Sequence, residues 1–192
     1  EFGGLFVHAN GQGGEGPSAA HAFGGTATVY TQGGTITSPF ALEVRADAIA
    51  GSYAGFFDEF AIPSSGFDAT GGTASVEMRG GGTGNGAIAL PSLTISAEGL
   101  AGDIGAVAGN GGKGTGGTAT LAVAEGDLTL DSSLRVRAGG LGGAADENEE
   151  GTTPFAGGDG QGGTASFLLS GGSVTAPEVS IVAHGGGGEA VE

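Results

Sequence analysis

The chain has 192 residues, 46 of them Gly, with no Cys, no Trp and a formal net charge of −16 from 21 acidic against 5 basic residues. That balance argues against nucleic-acid binding, which needs a basic face for the phosphates, and against electrostatic attachment to anionic membranes. Lack of cysteine excludes disulfide stapling and thiol chemistry, and no apolar run approaches the ~18 residues of a spanning helix, so no transmembrane segment is expected.

In chain order, the first strand signal is LFVHANG from Leu5. It recurs as LEVRADA from Leu42, LTISAEG from Leu93, LRVRAGG from Leu134 and VSIVAHG from Val179. Positions one and three are apolar and position five is Ala, the period-two pattern of a half-buried strand. The second signal is GGTATVY from Gly24, repeated as GGTASVE from Gly71, GGTATLA from Gly116 and GGTASFL from Gly162, at spacings of 47, 45 and 46 residues. Ala27 and Val29 are expected on one side of that strand, and Thr26, Thr28 and Tyr30 on the other. Ala74, Val76 and Met78 share the inner side in the next copy, as do Ala119, Leu121 and Val123, then Ala165, Phe167 and Leu169. A third apolar piece lies between the two phrases: GTITS from Gly34, GAIAL from Gly86, DLTLD from Asp127 and GSVTA from Gly172.

One repeat therefore reads strand, tight turn, strand, short corner, strand. A single repeat cannot bury its apolar side, whereas copies stacked at the strand spacing of ~4.8 Å form continuous internal columns. The expected fold is all-β: a parallel β-solenoid, or β-helix, right-handed by the crossover rule, with three short strands per repeat of roughly 46 residues. The repeats run 24–70, 71–115 and 116–161, between partial repeats 1–23 and 162–192. About twenty Gly-rich residues remain in each repeat. They form either loops along one side or a second, looser wall, and their variable length favours loops. No helical periodicity survives the glycines. Pattern and ends together read as a piece of something longer, with no leader peptide in view.

The GGTA-apolar, L-x-V-x-A and GG-x-G layout resembles the Gly/Thr/Ala-rich β-strand repeats of large bacterial surface proteins. The nearest named relatives are filamentous-haemagglutinin-like and autotransporter-adhesin passenger regions; the resemblance is one of style and covers nearly the whole chain. The resemblance implies an exported, extracellular protein at the bacterial cell surface, building a stalk or adhesive filament. Its implied partners are a protein or a glycan at a cell surface, or further copies of itself in a fibre.

Several residue groups are candidates for more specific roles. The segment after Ala50 is unusually aromatic and acidic, and Phe56, Phe57, Asp58, Glu59, Phe60, Phe67 and Asp68 are its candidate ligand- or partner-binding residues. Asp146, Glu147, Glu149 and Glu150 form a second acidic group. Clustered carboxylates suit calcium, but no EF-hand spacing is present, and solubilising loop charges explain them as well. GGDGQGGTA from Gly157 approaches a calcium-binding nonapeptide but has Gly162 where Asp is needed. No cofactor is expected.

Asp47 and Glu98 share one position of successive repeats. Stacked carboxylates suit acid/base work on polysaccharides, but the column continues as Gly139 and His184, so a turn facing water is the plainer reading. Thr26, Thr28, Thr73, Ser75, Thr118, Thr120, Thr164 and Ser166 form a hydroxyl ladder on one outer face, the style of ice-binding solenoids. β-Branched residues also simply suit strands. Arg45, Arg135 and Arg137 occupy outward strand positions, where solvated or ion-paired roles suffice. His8, His21 and His184 share no repeat position, so no histidine metal ladder is expected. No nucleophile elbow, Walker loop or zincin motif is present. The expected function is structural and adhesive rather than enzymatic, with a polysaccharide-binding or polysaccharide-active β-helix and an ice-binding face as the alternatives.

Overall fold

The computed structural model describes residues 4–15, 20–52, 66–80, 86–104, 109–145 and 155–190. Among them the chain is all-β, with no helix. Four parallel sheets account for the strands, and in each sheet a strand pairs with its own counterpart one repeat away.

The GGTA phrases build the first sheet, in which Thr26–Gln32, Thr73–Arg79, Thr118–Val123 and Thr164–Leu169 lie in register. We call it the hydroxyl sheet. The second, long sheet starts at Gly4–His8 and continues through Ala41–Arg45 and Ala87–Ser96 to Asp127–Arg137 and Glu178–Val182. Here the structure refines the expected three strands. The third apolar piece and the L-x-V-x-A phrase belong to the same sheet, and in the two middle repeats they are one unbroken strand. The expected corner is a bulge: Leu90 faces Leu130, yet Ser92 faces Ser133. Pro91 sits at this irregularity, where its missing N–H costs no ladder bond, and its carbonyl accepts from Ser132 Oγ at 2.9 Å.

The Gly-rich remainder contributes two further sheets, each two residues wide. One stacks Gly11–Gln12, Ala48–Ile49, Gly99–Leu100, Gly140–Leu141 and Gly185–Gly186. The other stacks Ala22–Phe23, Ala69–Thr70, Gly114–Thr115 and Gly160–Gln161. The described part of the Gly-rich segments is thus wall rather than loop. The chain runs from hydroxyl sheet to long sheet to the two narrow sheets, then back to the hydroxyl sheet one strand further on.

Burial follows the period-two reading. Ala74, Val76, Met78, Ala119 and Leu121 of the hydroxyl sheet are fully buried against Leu93, Ile95, Leu134 and Val136 of the long sheet. Val29, Val76, Leu121 and Phe167 form one file in register. The files lose cover only at the outer strands, where Leu5, Leu169, Val179 and Ile181 are exposed.

Glycine explains how the halves join. Gly25, Gly72, Gly117 and Gly163 donate their N–H groups to the carbonyls of Ala9, Ala46, Ala97 and Ala138 at 2.6–2.8 Å. Those alanines are the fifth positions of the L-x-V-x-A phrases, so the two recurring phrases meet at a waist. A Cβ on Gly117 would stand 2.0 Å from the Gly72 carbonyl oxygen, with no room for any side chain. Beyond the waist the two narrow sheets touch backbone to backbone, and a Cβ on Gly99 would lie 2.1 Å from the carbonyl of Thr115. Only small residues fit inside: Ala22, Ala48, Ala50 and Ala69 form a second buried cluster. The turns from hydroxyl sheet to long sheet use Gly33, Gly126 and Gly172 at positive φ, which side chains resist.

Candidate functional site

The outer side of the hydroxyl sheet carries the eight ladder residues in two files, Thr26–Thr73–Thr118–Thr164 and Thr28–Ser75–Thr120–Ser166. The second file bonds along itself: Thr28 Oγ1 lies 3.1 Å from Ser75 Oγ, and Thr120 Oγ1 lies 3.1 Å from Ser166 Oγ. Those hydroxyls spend part of their hydrogen-bonding capacity on each other. The next outward file reads Tyr30, Glu77, Ala122 and Leu168, which differ in size and charge. Arg79 extends over the Tyr30 ring at 5.6 Å and contacts Glu77 at 3.0 Å, so one edge of the face is built up.

Asp47 and Glu98 do occupy one file, but they do not form a carboxylate pair. Asp47 is only 7% exposed rather than facing water. Its Oδ1 accepts from Ser96 Oγ at 2.6 Å and from the Glu98 N–H at 2.8 Å. Arg45 lies 3.8 Å from Oδ2 and 3.0 Å from Glu43. The carboxylate is held by the next repeat's backbone and by a guanidinium, as burial of a charge requires.

The same arrangement recurs at other corners and was missed by sequence reasoning. Asn10 Oδ1 accepts from the Asp47 N–H, Asp68 Oδ1 from the Lys113 N–H, Asp103 Oδ1 from the Ala144 N–H, and Asn110 Oδ1 from the Ala156 N–H. His21 Nδ1 accepts from the Asp68 N–H at 2.8 Å. Each staple runs from a side chain to the backbone of the following repeat. The available signal was an Asn or Asp beside the small residues of a corner, where such side chains replace a ladder acceptor.

Of the aromatic and acidic segment, Phe56, Phe57, Asp58, Glu59 and Phe60 lie outside the described residues, as do Asp146, Glu147, Glu149 and Glu150. Phe67 packs partly buried against the narrow alanine cluster, and its ring meets His21 edge-on. Asp68 serves the staple to Lys113. Among the described residues no group of three or more His, Cys, Asp or Glu is placed to hold a metal ion, and no helix is long and apolar enough to cross a membrane.

On the outer side of the long sheet, the register places Phe6, Glu43, Thr94, Arg135 and Ser180 in one file. His8, Arg45, Ser96, Arg137 and Val182 form the next. At one edge Phe6 and His8 meet edge to face, with ring centres 5.4 Å apart, and His8 lies 3.9 Å from Glu43. Arg135 and Arg137 are exposed, beside the half-buried hydroxyls of Ser133, Thr94 and Ser180.

No family model matches the chain, and no curated protein or solved structure matches it.

Proposed function

We propose that the four sheets are the walls of a single β-solenoid, wound right-handed as the crossover rule favours. The chain is then a non-catalytic structural and adhesive segment of a large bacterial surface or filament protein, exported and acting outside the cell. One observation supports this most: every recurring phrase pairs in register with its own copy one repeat on. Such a fold lengthens by repetition and presents long, flat outer faces. Its polar corner groups bind the next repeat, which leaves little chemistry free. Asp47 is engaged on both sides, and this argues against the polysaccharide-active alternative.

The partners in this reading are a protein or glycan at a cell surface, met through the aromatic segment or an outer face. Self-association into fibres is a further mode in this reading. The test compares binding of the purified chain to cells and to a glycan array with that of a variant lacking residues 51–70. Binding by the intact chain, weakened in the variant, is expected. A chain that binds no cell, glycan or protein surface overturns the adhesive reading.

The in-register hydroxyls keep ice binding as a second reading. Against it stand the bulk of Tyr30 and Leu168 and the file's internal bonds. Thermal hysteresis that vanishes on Thr120→Tyr would replace the adhesive reading with this one; none is expected.

A further inference from the structure

The long sheet's outer face holds three of the chain's 5 basic residues, Arg45, Arg135 and Arg137, although the molecule carries 21 acidic ones. The charge of Arg45 is answered locally by Glu43 and Asp47. Arg79 is likewise answered by Glu77. Arg135 and Arg137 are different: neither forms an ion pair among the described residues. They stand two positions apart on one strand, so both project from the same face, about 6.6 Å from each other along the strand. Their register neighbours are hydroxyl or apolar residues: Thr94 and Ser96 on one side, Ser180 and Val182 on the other. No carboxylate occupies any of those four positions; the nearest acids on this face by register are Glu178, opposite Ser133, and Glu43, opposite Thr94 and already paired with Arg45.

Two guanidinium forks are matched to planar or tetrahedral oxyanions, each of which accepts two parallel N–H bonds. The hydroxyls beside them donate and accept, as sugar hydroxyls do. The face is an open sheet, and small molecules generally need concavity; an extended polymer laid across the strands needs none. Nucleic acid is disfavoured, since its dense phosphates call for many cations and the net charge repels them. A polymer with sparser charges and abundant hydroxyls suits two arginines better. At 0.15 M salt the wider negative surface is screened beyond ~8 Å, while contacts at the face persist.

We propose that Arg135 and Arg137, with Thr94 and Ser180, form a binding strip for an acidic polysaccharide, contacting its carboxylate or sulfate groups. This rests on the adhesive reading above and gives it a ligand class and a location.

The experiment measures binding of the intact chain to immobilised polygalacturonate, dextran sulfate and neutral dextran at 0.15 M salt. The proteins are the parent chain, Arg135→Ser/Arg137→Ser, Arg135→Lys/Arg137→Lys, and Arg79→Ser as a control outside the strip. The parent and the control should bind one or both acidic polymers and not neutral dextran. Polygalacturonate reads the carboxylate source and dextran sulfate the sulfate source. The serine pair should lose at least about tenfold in affinity, the scale of one or two charge-assisted hydrogen bonds. The lysine pair keeps the charge without the fork and should fall between. It also carries the test should the serine pair unfold, as judged by circular dichroism. Undiminished binding by both double variants overturns the strip. So does a parent chain that binds cells or neutral glycans but neither acidic polymer, in which case the adhesive reading stands. A parent that binds nothing at all removes both.

Discussion

Replacing Gly117 by Ala should be among the most damaging single-methyl changes in this chain. The new Cβ would sit 2.0 Å from the Gly72 carbonyl oxygen and 2.4 Å from that of Gly71. Both obstacles are backbone, so no rotamer change relieves the clash. Side-chain carbons do not approach such oxygens within about 3.0 Å, so the two repeats must part by roughly 1 Å. That displacement also stretches two backbone bonds out of range: Gly117 N–H to Ala97 at 2.8 Å and Thr118 N–H to Gly72 at 2.9 Å. Overpacking costs about 1–3 kcal/mol and each lost bond about 1 kcal/mol, giving about 3–5 kcal/mol in all. Against a net stability of about 5–15 kcal/mol this is a large fraction, and for a chain of this size it lowers the melting midpoint by roughly 6–20 °C. Gly34→Ala is the internal control. Nothing lies within 4 Å of its Cβ position, and its φ is not left-handed. There the substitution should stabilise by about 0.4–1 kcal/mol through the unfolded chain. Thermal melts followed by far-UV circular dichroism measure both. Equal midpoints for the Gly117→Ala variant and the parent would refute the close backbone contact at the waist.

Leu121→Ala should cost about 2–5 kcal/mol in a urea titration, because that side chain is fully buried in the main core. Leu168→Ala, one residue from the next member of the same file and 59% exposed, should change stability by less than about 0.5 kcal/mol. Asp47→Ala should destabilise by about 1–3 kcal/mol, since it strands the Glu98 N–H and the Ser96 hydroxyl. Asp47→Asn keeps an oxygen acceptor, as Asn10 does one repeat earlier, and should recover most of that loss in the same melt. Calcium or a chelator should leave the melting midpoint where it is. A rise that tracks calcium concentration would instead assign the ion a site in the native state.

The walls of the fold were legible because period-two alternation reports burial directly. Ala74 and Val76 face inward and Thr73 outward, as their spacing requires. Register was legible too, since near-identical phrases such as GGTAT and GGTAS have only one alignment that keeps their apolar residues on the same side. The narrow sheets were not. A two-residue strand such as Gly114–Thr115 has too few positions to show a period, and Gly carries no side chain to signal which way it faces. The corner staples escaped for a related reason. Asn10 and Asp103 look like ordinary loop polars until their partners, 37 and 41 residues away, are placed beside them. The hydroxyl ladder was read from the repeated T-x-T spacing, but its mutual bonds depend on rotamers that sequence does not encode. Arg135 and Arg137 were seen to point outward, and aligning LTISA, LRVRA and VSIVA already sets them beside Thr94, Ser96, Ser180 and Val182; what needed the structure was that neither finds an ion pair among the described residues.

The ladder hydrogen bonds of the four sheets lie along the direction in which repeats are added. A pull on the two extremities therefore loads the ladders of four walls simultaneously, and no interior strand can leave before its neighbours on both sides are disturbed. Rupture has to begin at a terminal strand and work inward. In the solenoid proposed above, resistance to shear flow therefore rests on those ladders, with no disulfide to reinforce them.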